Sequence, residues 1–169
     1  YLTVSTGISA GLVLGGMPLA SPNGLLGHVG FMTSKQGTRT CGSGRHGTFE
    51  SIASGRAIEA RAAELGHGQV DAVSIFESAA AGSAWAQGLV AESAAAIAEL
   101  CANLAAVLGI ARVALGGGIG LANGYLDLVQ KYLLDEPLLF RPEVVPAALE
   151  KNSALFGALS VAVDKKATS

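Results

Sequence analysis

Between Pro22 and Phe49 the chain runs without a sustained helical period and with only brief apolar segments, Leu25 to Val29 and Phe31 to Thr33. Around this stretch stand Gly27-His28-Val29-Gly30-Phe31, then Cys41-Gly42-Ser43-Gly44-Arg45-His46-Gly47-Thr48-Phe49-Glu50, then Ala53-Ser54-Gly55. Compact domains rarely keep so long a connection unless it serves a function. The segment therefore constrains the fold strongly: regular elements on either side must form a scaffold that holds a glycine-rich loop as a site.

Those flanking elements can be read from periodicity and turn residues. Tyr1 to Ser5 alternates apolar and hydroxyl side chains and stops at Thr6-Gly7, which predicts a strand; Gly11 to Leu14 and Met17 to Leu19 flank Gly15-Gly16, which predicts a hairpin. From Glu50 the period turns helical through Ile52, Ala53, Ala57, Ile58, Arg61, Ala62 and Leu65 until Gly66. A shorter helix is predicted over 72–81. Ser83 is placed to cap a longer one reaching Leu108, whose Ala91, Ala94, Ala95, Ala98, Ala102 and Ala105 favour helix and close packing, with Gly109 as its stop.

Arg112 to Leu115 reads as a strand entering Gly116-Gly117-Gly118, and Tyr125, Leu126, Val129, Tyr132 and Leu133 mark a helix before Pro137. Val144-Val145, between Pro142 and Pro146, reads as an edge strand, and Ala154 to Asp164 as a last helix with Gly157 on one face. Strands followed by strands alternating with helices define an α/β layered domain, a mixed sheet with flanking helices.

Composition narrows the function. The 169 residues make one ordinary domain, and 50% hydrophobic against 14% charged residues leaves more apolar surface than a lone domain of this size needs, which predicts contact with another domain or subunit. A net charge of -2 gives no basic field for nucleic acid or anionic membrane, and Lys165-Lys166 reads as a solvated helix end. Ala94 to Leu115 is interrupted by Glu99, Asn103 and Arg112, so no membrane span is predicted. The opening begins inside a strand, without Met or a basic leader, as a domain cut from a longer chain does. Cys41 and Cys101 do not make a disulfide framework, which points to a reducing, cytoplasmic setting.

Three features can carry chemistry. Ser5-Thr6-Gly7 is a strand end turning through glycine, either a plain tight turn or a cradle whose backbone N–H groups and Thr6 hydroxyl hold phosphate oxygens. Leu115-Gly116-Gly117-Gly118-Ile119-Gly120-Leu121 is a strand, a glycine turn and a helix start, either a structural turn or a platform for a base or ribose; it lacks the spacing of a GxGxxG dinucleotide fingerprint. Glu50 opens a helix, where a carboxylate is favourable in itself, and where its oxygens could also accept bonds from hydroxyls. His67 reads as a loop residue, Trp85 and Tyr125 as packing aromatics, and Arg141 as a loop cation.

Together the two glycine turns resemble the second phosphate segment and the adenosine segment of the actin-like ATPase (ribonuclease H-like) fold. The loop between them is similar to the signature of the ROK family of sugar kinases and sugar-responsive repressors, in which a GExGH-like turn precedes CxCGxxGCxE and an ASG helix start. His28 in that turn, with Gly120-Leu121-Ala122-Asn123-Gly124-Tyr125-Leu126, resembles the bacterial N-acetylmannosamine kinase branch of the family. The resemblance covers Tyr1 through the Gly157 helix and corresponds to the family's C-terminal lobe.

The resemblance implies an ATP- and Mg-dependent transfer to the 6-hydroxyl of N-acetylmannosamine or a related hexose. Thr6 and Gly7 would meet phosphate, Gly116, Gly117 and Gly118 adenosine, and His28 and Glu50 sugar. It also implies a homodimer formed through this lobe. The family's catalytic aspartate and DxGxT loop belong to an N-terminal lobe, and Asp71, Asp127, Asp135 and Asp164 lack either context, so this chain by itself is expected to be inactive. The sugar-sensing lobe of a repressor and a non-catalytic dimerisation relative are the alternatives. In the family a zinc is held by the signature's cysteines and histidine, but here only Cys41 remains: Ser43, Thr48 and Phe31 occupy the other positions and His46 adds at most one ligand. No structural zinc is expected, because such a site takes four ligands. Phe31 is expected to staple the loop by apolar packing instead.

Overall fold

A computed structural model of the chain describes residues 1–149, 152–153 and 155–160. Strands β1 (Leu2–Val4) and β2 (Ile8–Ala10) form an antiparallel hairpin around the Ser5-Thr6-Gly7 turn. The short β3 (Val13–Leu14) and β4 (Met17–Pro18) make a separate antiparallel pair. Helices α1 (Glu50–Ala53), α2 (Gly55–Glu64), α3 (Ala72–Ala80) and α4 (Ala84–Leu108) precede β5 (Arg112–Gly116), α5 (Gly117–Gly120), α6 (Tyr125–Leu133) and β6 (Glu143–Pro146). The main sheet has the order β2-β1-β5-β6, with β5 parallel to both β1 and β6. Val144 and Val145 thus lie on an edge strand, as expected.

Burial explains the layers. Leu2, Val4, Leu115 and Val144 project from the sheet into a core shared with Ile97, Leu100 and Leu104 of α4. Length and composition alone would suit α4 to a bilayer, yet 61% of its most apolar window is buried, and it packs on α1, α2, α3 and α6 as the central core helix. Gly109, at φ +63°, ends it. Ser93 on its inner face donates to the Ala53 carbonyl at 3.1 Å and lies 2.7 Å from the Tyr125 hydroxyl. Burial drives the Tyr125 phenol pKa far up, so this hydroxyl is a neutral structural partner.

Three local expectations need correction. Strand β2 falls in a segment without a legible period, because only Ile8 of its residues is buried. The helix from Glu50 to Gly66 is not continuous: Ser54 is extended (ψ 159°), its hydroxyl caps α2 by accepting from Ala57 N–H at 3.2 Å, and Gly55 N–H donates to the Ser5 carbonyl at 2.7 Å. A bond to the strand end thereby replaces one helical bond. Ser83 precedes α4 in the capping position, but its side chain makes no capping bond. Residues 155–160 are helical, and Gly157 within them is exposed; Ala154, the end of that predicted helix and Lys165-Lys166 lie outside the described residues.

The long connection folds back on itself. An isolated bridge between Thr33 and Thr48 closes its base and one between Thr40 and His46 closes its tip, while Gly37 presses on the Gly47 backbone so closely that a Cβ would stand 2.2 Å from the Gly47 carbonyl oxygen. Its anchors are Thr48 and Phe49, both fully buried. Phe31 is only partly buried and sits 5.7 Å from the His28 ring, so the apolar staple is Phe49 rather than Phe31.

A second anchor is Glu99. Its carboxylate is buried in α4 and accepts from the Ser34 hydroxyl (2.9 Å), the Lys35 N–H (2.9 Å) and the Gln36 side-chain amide (3.4 Å). Removing such an acceptor strands its buried donors, so Glu99→Ala is expected to cost about 3 kcal/mol of stability. Thermal or urea denaturation against Glu99→Gln, which keeps one acceptor oxygen, checks this: the glutamine variant should lose less.

Candidate functional site

The two glycine turns meet. Gly117, at φ +87°, lies so tightly against the end of β1 that a Cβ there would stand 2.3 Å from the Val4 carbonyl oxygen, and the nearest atom to a Cβ on Gly118 would be Ser5 Oγ at 3.8 Å. In front of them opens a cavity of about 450 Å³. Ser5, Thr6, Gly118 and Asn123 form its rim together with Gly55 and Arg56 at the start of α2. Its apolar lining comes from Val73 and Phe76 of α3 together with Ile119 and Ala122. Phe76 is braced from behind by the buried Tyr125, ring to ring at 5.7 Å. A cavity with apolar lining and a few polar groups suits a heteroaromatic group carrying a polar tail.

Of the expected phosphate and adenosine residues, Thr6 and Gly118 line this cavity, whereas Gly7, Gly116 and Gly117 do not. Gly116 and Gly117 work behind the site: the Gly116 Cα is covered by the Tyr1 ring, and Gly117 lets the backbone turn against β1. Gly7 faces Glu50, whose Oε2 would stand 2.9 Å from a Cβ placed there. The same Oε2 accepts from Ile8 N–H at 3.2 Å. Glu50 is thus held under the β1–β2 turn, and it also lines a second hollow of about 150 Å³ together with Arg39, Cys41, Ser54 and Arg56.

His28 is exposed and lies outside both hollows. Its Nδ1 stands 3.2 Å from the Leu25 carbonyl, which can only accept, so Nδ1 carries the proton and Nε2 is free to accept when the ring is neutral. The residues it introduces pack on β2: a Cβ on Gly30 would stand 2.5 Å from the Ile8 carbonyl oxygen. Ile8 therefore joins the His28 turn to Glu50, receiving Gly30 against its carbonyl and giving its N–H to the carboxylate.

The Cys41 loop has the form of a ligand cluster without the ligands. Cys41 Sγ lies 3.0 Å from Ser43 Oγ. Partial burial raises the thiol pKa, but hydrogen bonds from Ser43 and Thr48 outweigh it and leave the thiol below its ordinary value; burial pushes Cys101 up to about 12. His46 is exposed, with Nδ1 3.4 Å from Thr40 Oγ1. No three His, Cys, Asp or Glu side chains stand together among the described residues. One thiol beside two hydroxyls does not fit a tetrahedral zinc.

Sequence reasoning missed the α3 wall, Asn123 and Arg56. Val73 and Phe76 show no motif, since any amphipathic helix has such residues; Arg56 had a signal in its place directly after Ala53-Ser54-Gly55. His67 and Trp85, read separately, stack on each other at 3.9 Å between ring centres. Arg141 is a structural cation, donating from Nε to the Glu136 carbonyl at 2.5 Å.

The model of the ROK family matches residues 1–165. The chain is 41% identical over 166 residues to an N-acetylmannosamine kinase from Escherichia coli O139:H28 (strain E24377A / ETEC), covering 98% of this chain and 57% of that protein. It therefore spans little more than half the length of the curated relatives it matches. Among solved structures, a ROK hexokinase from Thermus thermophilus superposes with a TM-score of 0.81 at 35% identity, over 94% of this chain and 54% of the other. A ROK family protein from Streptococcus pneumoniae TIGR4 in complex with sucrose gives 0.83 at 20% identity, over 99% and 58%.

Proposed function

Since this chain belongs to the ROK family and has the fold of its actin-like ATPase sugar kinases, we propose that it is the C-terminal lobe of a carbohydrate kinase. The reaction is transfer of the γ-phosphoryl of ATP, as its Mg complex, to the 6-hydroxyl of N-acetylmannosamine or a related hexose. The observation that carries this reading is the convergence of Ser5, Thr6 and Gly118 on one cavity, beside a smaller hollow holding the Glu50 carboxylate. The base of the nucleotide lies between Phe76 and Ile119, its phosphates run toward Ser5 and Thr6, and Glu50 with His28 receives sugar hydroxyls. Such catalysis is mainly positioning and charge stabilisation, which needs both sides of a cleft. A preceding lobe supplies the base and the first phosphate loop, and this chain alone is inactive. The protein works in the cytoplasm as a homodimer and without a structural zinc.

The experiment is a coupled ATP-dependent assay of the complete protein with N-acetylmannosamine, N-acetylglucosamine and glucose. Turnover with N-acetylmannosamine as the best substrate is expected. Sugar binding without turnover, together with a DNA-binding segment upstream of Tyr1, would instead identify a sugar-sensing repressor; neither binding nor turnover would leave a dimerisation relative.

A further inference from the structure

We propose that Arg56 is the cation that engages the terminal phosphate of the bound nucleotide, a role that rests on the kinase reading above. Arg56 lines both hollows, the large one that receives the nucleotide and the small one that contains Glu50. It is the sole Lys, Arg or His lining the large cavity among the described residues, whose other charged groups there are Glu59 and Glu77. Glu59 lies one helical turn from Arg56, yet its Oε1 accepts from Ala72 N–H at 3.0 Å and does not pair with the arginine. Arg39, Arg61 and Arg112 are each committed to a glutamate and Arg141 to a carbonyl, whereas the side chains of the exposed Arg45 and Arg56 have no ion pair or hydrogen bond among the described residues, and of these two only Arg56 lines the hollows. An exposed, unpaired arginine in the lining of a cavity that, on the kinase reading, takes a nucleotide is chemically matched to a phosphate group.

Its backbone position is set independently. Gly55 N–H binds the Ser5 carbonyl at 2.7 Å, so the first turn of α2 is tied to the phosphate turn, and Arg56 follows directly. A phosphate reaching past Ser5 and Thr6 toward Glu50 passes from one hollow lined by Arg56 to the other, and a guanidinium's planar donors match phosphate oxygens. A contact to the phosphoryl being transferred also strengthens as charge develops on it.

The test uses the complete protein with Arg56→Met and Arg56→Lys, measuring binding of ATP, ADP and adenosine by calorimetry alongside steady-state kinetics. For Arg56→Met, ATP affinity and kcat are expected to fall by about tenfold or more, with adenosine affinity and sugar KM within about twofold of the parent and partial recovery in Arg56→Lys. Unchanged ATP binding and kcat in Arg56→Met would overturn the assignment while leaving an active parent enzyme and the kinase reading intact. Equal losses for ATP and adenosine would overturn it in favour of a structural role. A parent protein that binds no nucleotide would overturn both.

Discussion

Glu50→Ala in the complete protein is expected to lower kcat/KM for the sugar by on the order of 10²–10⁴-fold, because two hydrogen bonds to an ionised carboxylate are each worth about 1.5–3 kcal/mol. The carboxylate accepts one bond, from Ile8 N–H at 3.2 Å, which leaves it further acceptor sites, and Glu50 lines the small hollow. Sugar hydroxyls fill those sites in the proposed complex. Loss of the Ile8 bond should cost some stability as well, which thermal denaturation measures separately. Glu50→Gln keeps one acceptor oxygen for Ile8 and is expected to retain the fold while losing most of the activity. ATP affinity, carried by the neighbouring cavity, should stay within about twofold in both variants. If sugar kinetics were unaltered in Glu50→Ala, the carboxylate would be no more than a clasp for the β1–β2 turn.

Gly117→Ala is expected to destabilise the fold by about 3–5 kcal/mol, which combines a left-handed backbone position forbidden to alanine with overpacking of a filled site. The added methyl would stand 2.3 Å from the Val4 carbonyl oxygen and 2.7 Å from Thr3 Oγ1, and the Gly117 φ of +87° offers no relief. Neither neighbour is the end of a flexible side chain: one is backbone and the other is a short branched residue in a paired strand. A fall in melting temperature of roughly 10 °C follows for a chain of this size. Gly118→Ala provides the contrast. Its methyl would meet nothing nearer than Ser5 Oγ at 3.8 Å, so the protein should keep its melting temperature, and any loss should appear in nucleotide binding. Equal stability of the two variants would mean that the turn relaxes away from β1.

Much of the scaffold was legible because its punctuation is local. Gly109 stops α4 where a left-handed residue is needed, and Pro142 and Pro146 bracket a strand that does lie at the sheet edge. Strand β2 was not legible because only Ile8 of its residues is buried, which leaves no alternation to read, and the break at Ser54 was not legible because the bond that accompanies it, from Gly55 N–H to the Ser5 carbonyl, joins residues distant in sequence. The site divides in the same way. Thr6, Gly118 and Glu50 stand in motifs, whereas Phe76 and Arg56 became site residues only when α2 and α3 folded across the glycine turns. Gly116 and Gly117 stand in a motif too, but their role is to let the backbone pass.

By itself the sequence determined where the chain may turn sharply, because glycine alone tolerates left-handed backbone and close approach, and it determined that a helix-forming, alanine-rich segment would be the core. It also determined the family, through the order of the Gly27, Cys41 and Gly55 motifs. Tertiary structure alone decided that the two turns share one cavity and that Glu50 sits beneath the β1–β2 turn. Parallel pairing of β1 with β5 brings residues more than a hundred positions apart into register, as Thr3 with Gly116, and no local preference encodes a contact of that range.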